Sequence, residues 1–253
     1  MAVNSTAITK IGFKKADTKI ARRLIVGIEA QEKCGKTNFL LSSPGPIAVF
    51  DFNNSLEGVV NKFANMKDIF ISDYSKSGSH LSTPEWLKIW EKFKKEYVEI
   101  LREPSIKTMG IDTATEQWEL CRMARFGKLT QVMPHMYGPV NEEFRNLLYI
   151  AYSSGKNIIL THKKKEEYVA SKANPAISNR TGKYIRSGFA DSPYMVQVNI
   201  DLWRDPDEGF KARIMDCRQN ADIIGMELYG EDINFPMLAS LVFPEIDISE
   251  WGG

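Results

Sequence analysis

Short apolar runs alternate with polar turns and amphipathic segments along most of the chain. The apolar runs have the length of buried strands and lie at residues 24–28, 47–52, 106–112 and 157–162. Segments with helical periodicity lie between them, at residues 38–41, 83–101, 114–126 and 141–152. Strands that alternate with helices predict an α/β fold with a mostly parallel central sheet flanked by helices.

The clearest helix is predicted at residues 83–101 (TPEWLKIWEKFKKEYVEIL). Pro84 follows a Thr that can cap the first turn, and the aromatic residues recur at helical spacing. We expect these aromatic residues to face the core, and stacking on nucleic-acid bases is the alternative. Residues 68–71 (DIFI) could add a short strand.

The last third of the chain has a different pattern. Residues 163–192 lose periodicity and are rich in Lys, Arg, Ser, Asn and Gly, which predicts a long loop that is either functional or disordered. Strands are then expected at residues 194–203 and 210–216, joined by the turn RDPDEG into a C-terminal β-hairpin. The final residues, 241–253, are acidic with a few apolar anchors.

Composition excludes several classes of protein. The chain of 253 residues is 43% hydrophobic and 26% charged, with a formal net charge of +1, as in ordinary globular proteins. No apolar stretch approaches the roughly 20 residues that a membrane span needs, so we expect no membrane contact and a cytoplasmic protein. Cys34, Cys121 and Cys217 lie far apart in sequence and form neither a metal-ligand pattern nor a disulfide framework.

The first apolar run leads into residues 30–37, AQEKCGKT, which have the spacing of a phosphate-binding P-loop with Ala in place of the first Gly. Such a loop surrounds a phosphate chain with backbone N–H groups at the start of a helix. Lys36 is expected to reach the β- and γ-phosphates of ATP, and Thr37 to offer its hydroxyl to Mg²⁺. An accidental GKT in a surface turn is the alternative. The predicted nucleotide-binding residues are Ala30, Gln31, Glu32, Lys33, Cys34, Gly35, Lys36, Thr37 and Asn38.

Two further residues stand at the ends of predicted strands. Asp112 ends the third apolar run, where an acid can support the Mg²⁺ shell together with Thr37, although it could also only cap the next helix. His162 ends the fourth run, beside the expected γ-phosphate, although a lone His is more often structural.

Basic residues gather beyond His162, which gives a neutral chain a local surface for phosphate contacts. The DNA-binding candidates are Lys163, Lys164, Lys165, Lys172, Arg180, Lys183 and Arg186. Arg213 and Arg218 are exposed candidates for contact with a nucleotide on an adjacent subunit. We divide the chain into an N-terminal arm (1–20), one ATPase domain (21–240) and the acidic tail (241–253).

The order of these motifs resembles the short phage-encoded single-strand-annealing recombinases, which are core-only RecA-like P-loop NTPases. The resemblance covers about residues 20–225 and is carried by EAQEKCGKTNF, IAVFDF, GIDTATE and IILTH. It implies an ATP- and Mg²⁺-dependent protein, in the host cytoplasm, that binds single-stranded DNA and anneals or exchanges strands as a homo-oligomeric ring or filament. It also implies that His162 couples the γ-phosphate to the DNA loop.

The same resemblance gives roles to three segments. Residues 163–186 take the place of the second DNA-binding loop and residues 127–138 that of the first. Phe13 and Ala16 match a segment that docks into a neighbouring subunit, although we favour the alternative that Phe13 packs on its own domain.

The sequence departs from this family at Asn53, which replaces the Glu that polarises the attacking water. An amide is a very poor base, so hydrolysis is expected to be slow unless Glu57 or Glu116 substitutes, and neither has the family's spacing. The catalytic candidates are Lys36, Asn53, Glu57 and His162. The alternatives are a nucleotide-gated scaffold with little hydrolysis, whose tail docks a single-strand-binding or replication protein, and a small-molecule kinase with residues 163–186 as its lid.

Overall fold

The computed structural model describes residues 9–14, 22–75, 81–129, 132–170 and 178–252. Its strands are β1 (Ile25–Ala30), β2 (Ile47–Asp51), β3 (Ile69–Asp73), β4 (Thr108–Asp112), β5 (Asn157–Ala170), β6 (Ser178–Arg186), β7 (Val198–Asp205), β8 (Gly209–Cys217) and β9 (Glu227–Tyr229). Its α-helices are α1 (Lys36–Leu41), α2 (Thr83–Arg102), α3 (Ala114–Phe126), α4 (Tyr137–Ser153), α5 (Ser192–Met195) and α6 (Phe235–Val242).

The strands form one sheet in the order β3-β2-β4-β5-β1-β7-β8-β9, with β6 paired to β5. The pairs from β3 to β7 are parallel, and β8 and β9 continue the sheet in antiparallel pairing. This arrangement confirms the predicted α/β P-loop NTPase fold, with its mostly parallel sheet and C-terminal hairpin. β5 and β4 lie between β1 and β2, so the tips of these strands meet along one edge of the sheet.

A hydrophobic core covers each face of the sheet because the parallel strands are buried on both sides. One core joins α1 and α6 to the sheet, and the other joins α2, α3 and α4 to the opposite face. Gly110 on β4 is required by this packing, since a Cβ there would lie 2.7 Å from the side chain of Leu40 on α1. The aromatic residues of α2 face the core, as expected.

Several predicted boundaries are wrong. The cap of α2 is Ser82, whose N–H donates to the Glu85 carboxylate (2.7 Å), and Thr83 is already helical. Most of the expected loop at 163–192 is instead a β-hairpin, because β5 continues to Ala170 and pairs with β6 in antiparallel register. The strand expected from residue 194 begins at Val198, after the short helix α5.

The two ends of the chain can be described in part. Phe13 is 65% exposed, so it does not pack on its own domain, while Ala16 lies outside the described residues. In the acidic tail, Phe243 and Trp251 are buried and their rings stack with centroids 5.6 Å apart. The tail is therefore anchored on the core that contains α6. The division into arm, domain and tail stays a prediction.

Candidate functional site

The predicted P-loop connects β1 to α1 at the carboxyl edge of the parallel strands, where ligands bind in open α/β sheets. β1 ends at Ala30 and α1 begins at Lys36, so residues 31–35 form the turn. Gly35 has a φ of +92°, in the left-handed region that favours glycine. All nine predicted nucleotide-binding residues line a cleft of about 500 Å³ at this position.

Lys36 holds its ammonium group over the loop. Its Nζ donates to the carbonyl oxygens of Ala30 (3.2 Å) and Gln31 (2.7 Å). Burial lowers the pKa of Lys36 from its ordinary value, and the nearby charge of Asp112 acts in the opposite direction. The ammonium is thus partly desolvated inside the cleft, where it interacts more strongly with an anion than it would in water.

Asp112 lies at the tip of β4 and accepts hydrogen bonds from three hydroxyl groups. Its carboxylate receives Thr37 Oγ1 (2.7 Å), Ser55 Oγ (2.6 Å) and Thr161 Oγ1 (2.5 Å). Asp112 is buried, and these bonds stabilise its charge there. The sequence predicted Thr37 and Asp112 at one site, and the structure brings them into direct contact.

This donor set fits Mg²⁺ bound together with a nucleotide. Mg²⁺ sites of this kind use one or two protein oxygens, several waters and the substrate phosphates. Within the described part of the chain, no group of three or more His, Cys, Asp or Glu side chains could hold a metal by itself. Thr37 and Asp112 would hold such an ion, and the ion would neutralise charge on the bound phosphates.

The comparison with known protein families agrees with this geometry. A family model described as an AAA domain matches residues 22–199, well over half of the chain. The chain belongs to this AAA-domain family. No curated protein matches the chain. An AAA domain is a P-loop ATPase domain, so the family supports nucleotide binding, with a divalent metal, at the cleft.

The turn after β2 brings Asn53 to the cleft of the AAA domain but leaves Glu57 outside its lining. The Asp51 carboxylate orders this turn, because it accepts the backbone N–H groups of Asn53 (3.1 Å), Ser55 (3.2 Å) and Leu56 (3.3 Å). Sequence reasoning missed Asp51 and Ser55 as site residues. The available signal was that Asp51 ends a buried strand and that Ser55 lies in the polar turn directly after it.

No described residue supplies a free glutamate at the expected position of the base. Among the described residues that line the cleft, the carboxylates are Glu32 and Asp112, and Asp112 is occupied by three hydroxyl groups. Glu116 pairs with Lys163 and with the Thr113 hydroxyl. The amide of Asn53 therefore occupies the position where the resemblance implies a water-polarising acid.

The expectation that His162 faces the γ-phosphate does not fit the structure. Alternate residues of a strand point to opposite faces of a sheet, and Thr161, which bonds Asp112, points to the face that carries α1. His162 points to the other face, is fully buried, and aligns with Glu29 of β1. The pKa of His162 is well below its ordinary value, mainly because the side chain is buried and secondly because the charge of Arg186 is near. Thr161 is the residue of β5 that bonds Asp112, and Lys163 and Lys164 are the residues of β5 that line the cleft.

The predicted DNA-binding residues fall into two groups, apart from Lys172, which lies outside the described residues. At the base of the β5–β6 hairpin, Lys163 pairs with Glu116, Lys164 with Asp201 (2.7 Å), and Arg186 with Glu29 (2.7 Å). Lys165, Arg180 and Lys183 are exposed farther out on the hairpin, and Arg180 lies 3.2 Å from the Glu166 carboxylate.

The two predicted trans-acting arginines lie apart from the cleft of their own chain. Arg213 on β8 pairs with Glu227 on β9 and lies over the ring of Trp203. Arg218 follows β8 at the opposite edge of the sheet, where its Nη2 donates to the Tyr194 carbonyl oxygen (2.9 Å). Their contact with a neighbour's nucleotide stays a prediction. None of the helices in the described ranges is long and apolar enough to span a membrane.

Proposed function

We propose that this chain is an ATP- and Mg²⁺-dependent, RecA-like protein that binds single-stranded DNA and promotes annealing or strand exchange as a homo-oligomer. The observation that carries the proposal is the path of β5. At Thr161 this strand contacts Asp112 in the nucleotide cleft, and Lys163 and Lys164 line the same cleft. The strand then runs without interruption into the exposed, basic β5–β6 hairpin.

The outer part of this hairpin has the chemistry of a surface that binds unpaired nucleotides. Lys165 on β5 and Lys183 on β6 are both exposed. Tyr168 and Tyr184 are 51% and 45% exposed, and the guanidinium of Arg180 lies over the Tyr168 ring. Cationic groups that contact phosphates and aromatic rings that stack on bases are the usual means of sequence-tolerant binding.

The cleft and the hairpin would act together in the following way. Lys36 and the backbone of the P-loop bind the phosphate chain, and Thr37 and Asp112 position Mg²⁺. Thr161 joins Asp112 to β5, so a rearrangement around Asp112 reaches the strand that carries the hairpin. Because binding free energies are coupled reciprocally, DNA on the hairpin would also change the affinity for ATP.

The test is ATP hydrolysis with and without a 30-nucleotide dT oligonucleotide. The wild-type rate should rise with DNA, and Lys36→Ala should abolish hydrolysis under both conditions. The double variant Lys165→Ala/Lys183→Ala should bring the ratio of the two rates close to one. The matched control Lys62→Ala/Lys95→Ala replaces exposed lysines away from the hairpin and should keep the wild-type ratio. A wild-type rate that ignores DNA, or a hairpin variant with the wild-type ratio, contradicts the proposal.

Asn53 favours a second candidate, a nucleotide-gated scaffold with little turnover. An amide positions water but removes its proton very poorly, so bound ATP would act as a switch. Tight binding of ATP with little hydrolysis, whether DNA is present or absent, would support this candidate. A replication or single-strand-binding protein docked on the acidic tail would then be the partner, with Trp251 still anchored in the core.

The predicted alternative of a small-molecule kinase loses its support in the structure. That reading needs residues 163–186 to form a lid that closes over the phosphates. Of these residues, the described ones are paired strands, and ion pairs fix the base of the hairpin.

A further inference from the structure

Three tyrosines, two arginines and an aspartate line a shallow cleft of about 580 Å³ at the amino edge of the sheet, opposite the P-loop, and a third arginine lies over one of the tyrosine rings. We propose that this surface binds single-stranded nucleic acid independently of ATP. We call it the Tyr–Arg face and define it by Arg23, Arg145, Tyr149, Tyr152, Tyr194 and Arg218. The proposal goes beyond the proposed function, because it does not require the β5–β6 hairpin to bind DNA.

The fold assembles the face from distant parts of the chain. Arg145, Tyr149 and Tyr152 lie at positions i, i+4 and i+7 of α4, so they form one stripe along the helix. Tyr194 lies on α5, opposite this stripe. Arg23 precedes β1 and Arg218 follows β8, and both guanidinium groups lie over the ring of Tyr152, at 4.9 and 5.9 Å from its centroid.

The two outer tyrosines are exposed to an unusual degree. Tyr194 is 81% exposed and Tyr149 is 59% exposed, whereas Tyr97, in the core on the same side of the sheet, is fully buried. Exposed aromatic rings beside cations provide stacking surfaces for bases, whose flat faces are available only when they are unpaired. The geometry therefore favours a single-stranded ligand over a duplex.

The charge of the face is not neutralised by its own acids. Arg145 donates its Nε to Asp191 (2.8 Å), but no carboxylate of the described residues lies within 4 Å of Arg23 or Arg218. Arg23 is bonded instead to the Gln197 amide oxygen (3.1 Å), and Arg218 to the Tyr194 carbonyl. Two arginines thus remain available to phosphates, and guanidinium groups suit phosphates because they offer several donors in one plane.

The charge distribution of the β5–β6 hairpin is mixed. Lys163, Lys164, Arg180 and Arg186 each lie beside a carboxylate, whereas the exposed Lys165 and Lys183 have no carboxylate partner among the described residues. The unpaired cations of the hairpin are thus ammonium groups, and those of the Tyr–Arg face are guanidinium groups. This face lies about 20 Å from the P-loop, the length of the six-residue strand β1, so an oligonucleotide bound there need not touch the nucleotide.

The test measures fluorescence anisotropy of labelled 30-nucleotide dT and rU oligonucleotides, in the absence of ATP. Tyr149→Ala/Tyr194→Ala should weaken binding by about 30-fold or more, since two stacking rings are lost and each contributes at least about 1 kcal/mol. Tyr149→Phe/Tyr194→Phe keeps both rings and should bind within about 3-fold of the wild type. Tyr229→Ala removes a comparably exposed ring on β9 and serves as the matched control.

Several outcomes would overturn the proposal. Wild-type affinity in the Ala variant, or an equal loss in the Phe variant, excludes stacking. If the Ala variant loses as much affinity for a duplex as for the single strand, stacking on unpaired bases is also excluded. If the Ala variant changes the sedimentation coefficient while oligonucleotide affinity stays unchanged, the face is a protein interface instead.

Two further measurements distinguish DNA from RNA as the ligand, and the Tyr–Arg face from the β5–β6 hairpin as the binding surface. Equal binding of dT and rU is expected because stacking does not read the sugar, and a large preference would identify the natural ligand as DNA or RNA. Lys165→Ala/Lys183→Ala, measured in the same assay with and without ATP, tests the proposed function. Failure of the hairpin variant and failure of the tyrosine variant can therefore be told apart.

Discussion

The two edges of the sheet both present cations, but they use them differently. At the carboxyl edge four cations of the β5–β6 hairpin lie beside carboxylates, as in the contacts of Arg186 with Glu29 and of Lys164 with Asp201. At the amino edge Arg23 and Arg218 contact an aromatic ring, an amide and a carbonyl group. Paired charges fix the shape of a site, whereas unpaired charges remain available for a ligand.

This difference shows why a count of basic residues does not locate a basic surface. The sequence concentrates lysines and arginines at 163–186, yet acids beside them cancel much of their charge. The amino edge collects three arginines from remote positions, and two of them, Arg23 and Arg218, have no carboxylate partner among the described residues. If the two edges are independent, changes at one should leave the other unaffected.

The largest effect is expected from Asp112→Asn. The substitution keeps the shape of the side chain but removes the negative charge. That charge accepts the hydrogen bond from the Thr37 hydroxyl and would support Mg²⁺. We expect ATP hydrolysis to fall by roughly 10²-fold to 10³-fold, the usual cost of losing one electrostatic stabiliser. Phosphate release measures this rate, and thermal unfolding confirms that the variant is folded. Oligonucleotide binding without ATP should not change, and a parallel loss there would contradict the independence of the edges.

The second-largest expected effect is an increase in the rate of ATP hydrolysis. Asn53→Glu places a carboxylate at the cleft, where it can accept a proton from the attacking water, and should raise the hydrolysis rate by about 10-fold or more. The matched control is Glu57→Gln, which should have no effect because Glu57 does not line the cleft. A loss of activity in Glu57→Gln would show that this residue reaches the nucleotide after all. Binding at the Tyr–Arg face should again be unchanged.

A smaller effect is expected from Glu29→Gln, which tests the pairing at the carboxyl edge. Glu29 receives Arg186 Nε, and both side chains are largely buried, so the neutral amide leaves a cation poorly paired. We expect a loss of about 1–3 kcal/mol in the free energy of unfolding. Urea unfolding measures it, and Glu99→Gln, which removes an exposed pair with Lys95, is the control that should change little.

Hydrogen exchange in the same Glu29→Gln variant locates the change. Amides of the β5–β6 hairpin should exchange faster, since Arg186 and Lys164 tie its base to β1 through Glu29. Amides of α4, at the Tyr–Arg face, should exchange as in the wild type. Equal acceleration at both places would mean that the ion pair stabilises the whole domain rather than the hairpin.

Local signals made the carboxyl edge predictable from the sequence. The P-loop, the buried strands and Asp112 are each encoded within a few neighbouring residues, and their order implies the fold. The β5–β6 hairpin was missed because KKKEEYVA on β5 has no apolar alternation, since neither face of this extension packs on a core.

Two other features depend on contacts between remote residues. His162 and not Thr161 was expected to face the cleft, and a shift of one residue along a strand reverses the face. Only the register of β5 against β1 and β4 decides which side chain meets Asp112. The Tyr–Arg face joins positions from 23 to 218, and no local pattern marks it.

The smallest effect concerns His162, which lies on the opposite face of the sheet from Asp112 and should influence stability alone. Burial, followed by the charge of Arg186, lowers its pKa in the folded chain, so the unfolded chain takes up a proton first as the pH falls. The contribution of His162 to the free energy of unfolding is therefore fully present above about pH 6.5. Below that pH it decreases by at most about 1.4 kcal/mol per pH unit. Urea unfolding between pH 7.5 and 5.5 should show this slope in the wild type and a flatter one in His162→Phe. His135→Gln, at an exposed site, should keep the wild-type slope, and a slope that survives in His162→Phe would assign the pH dependence to other groups.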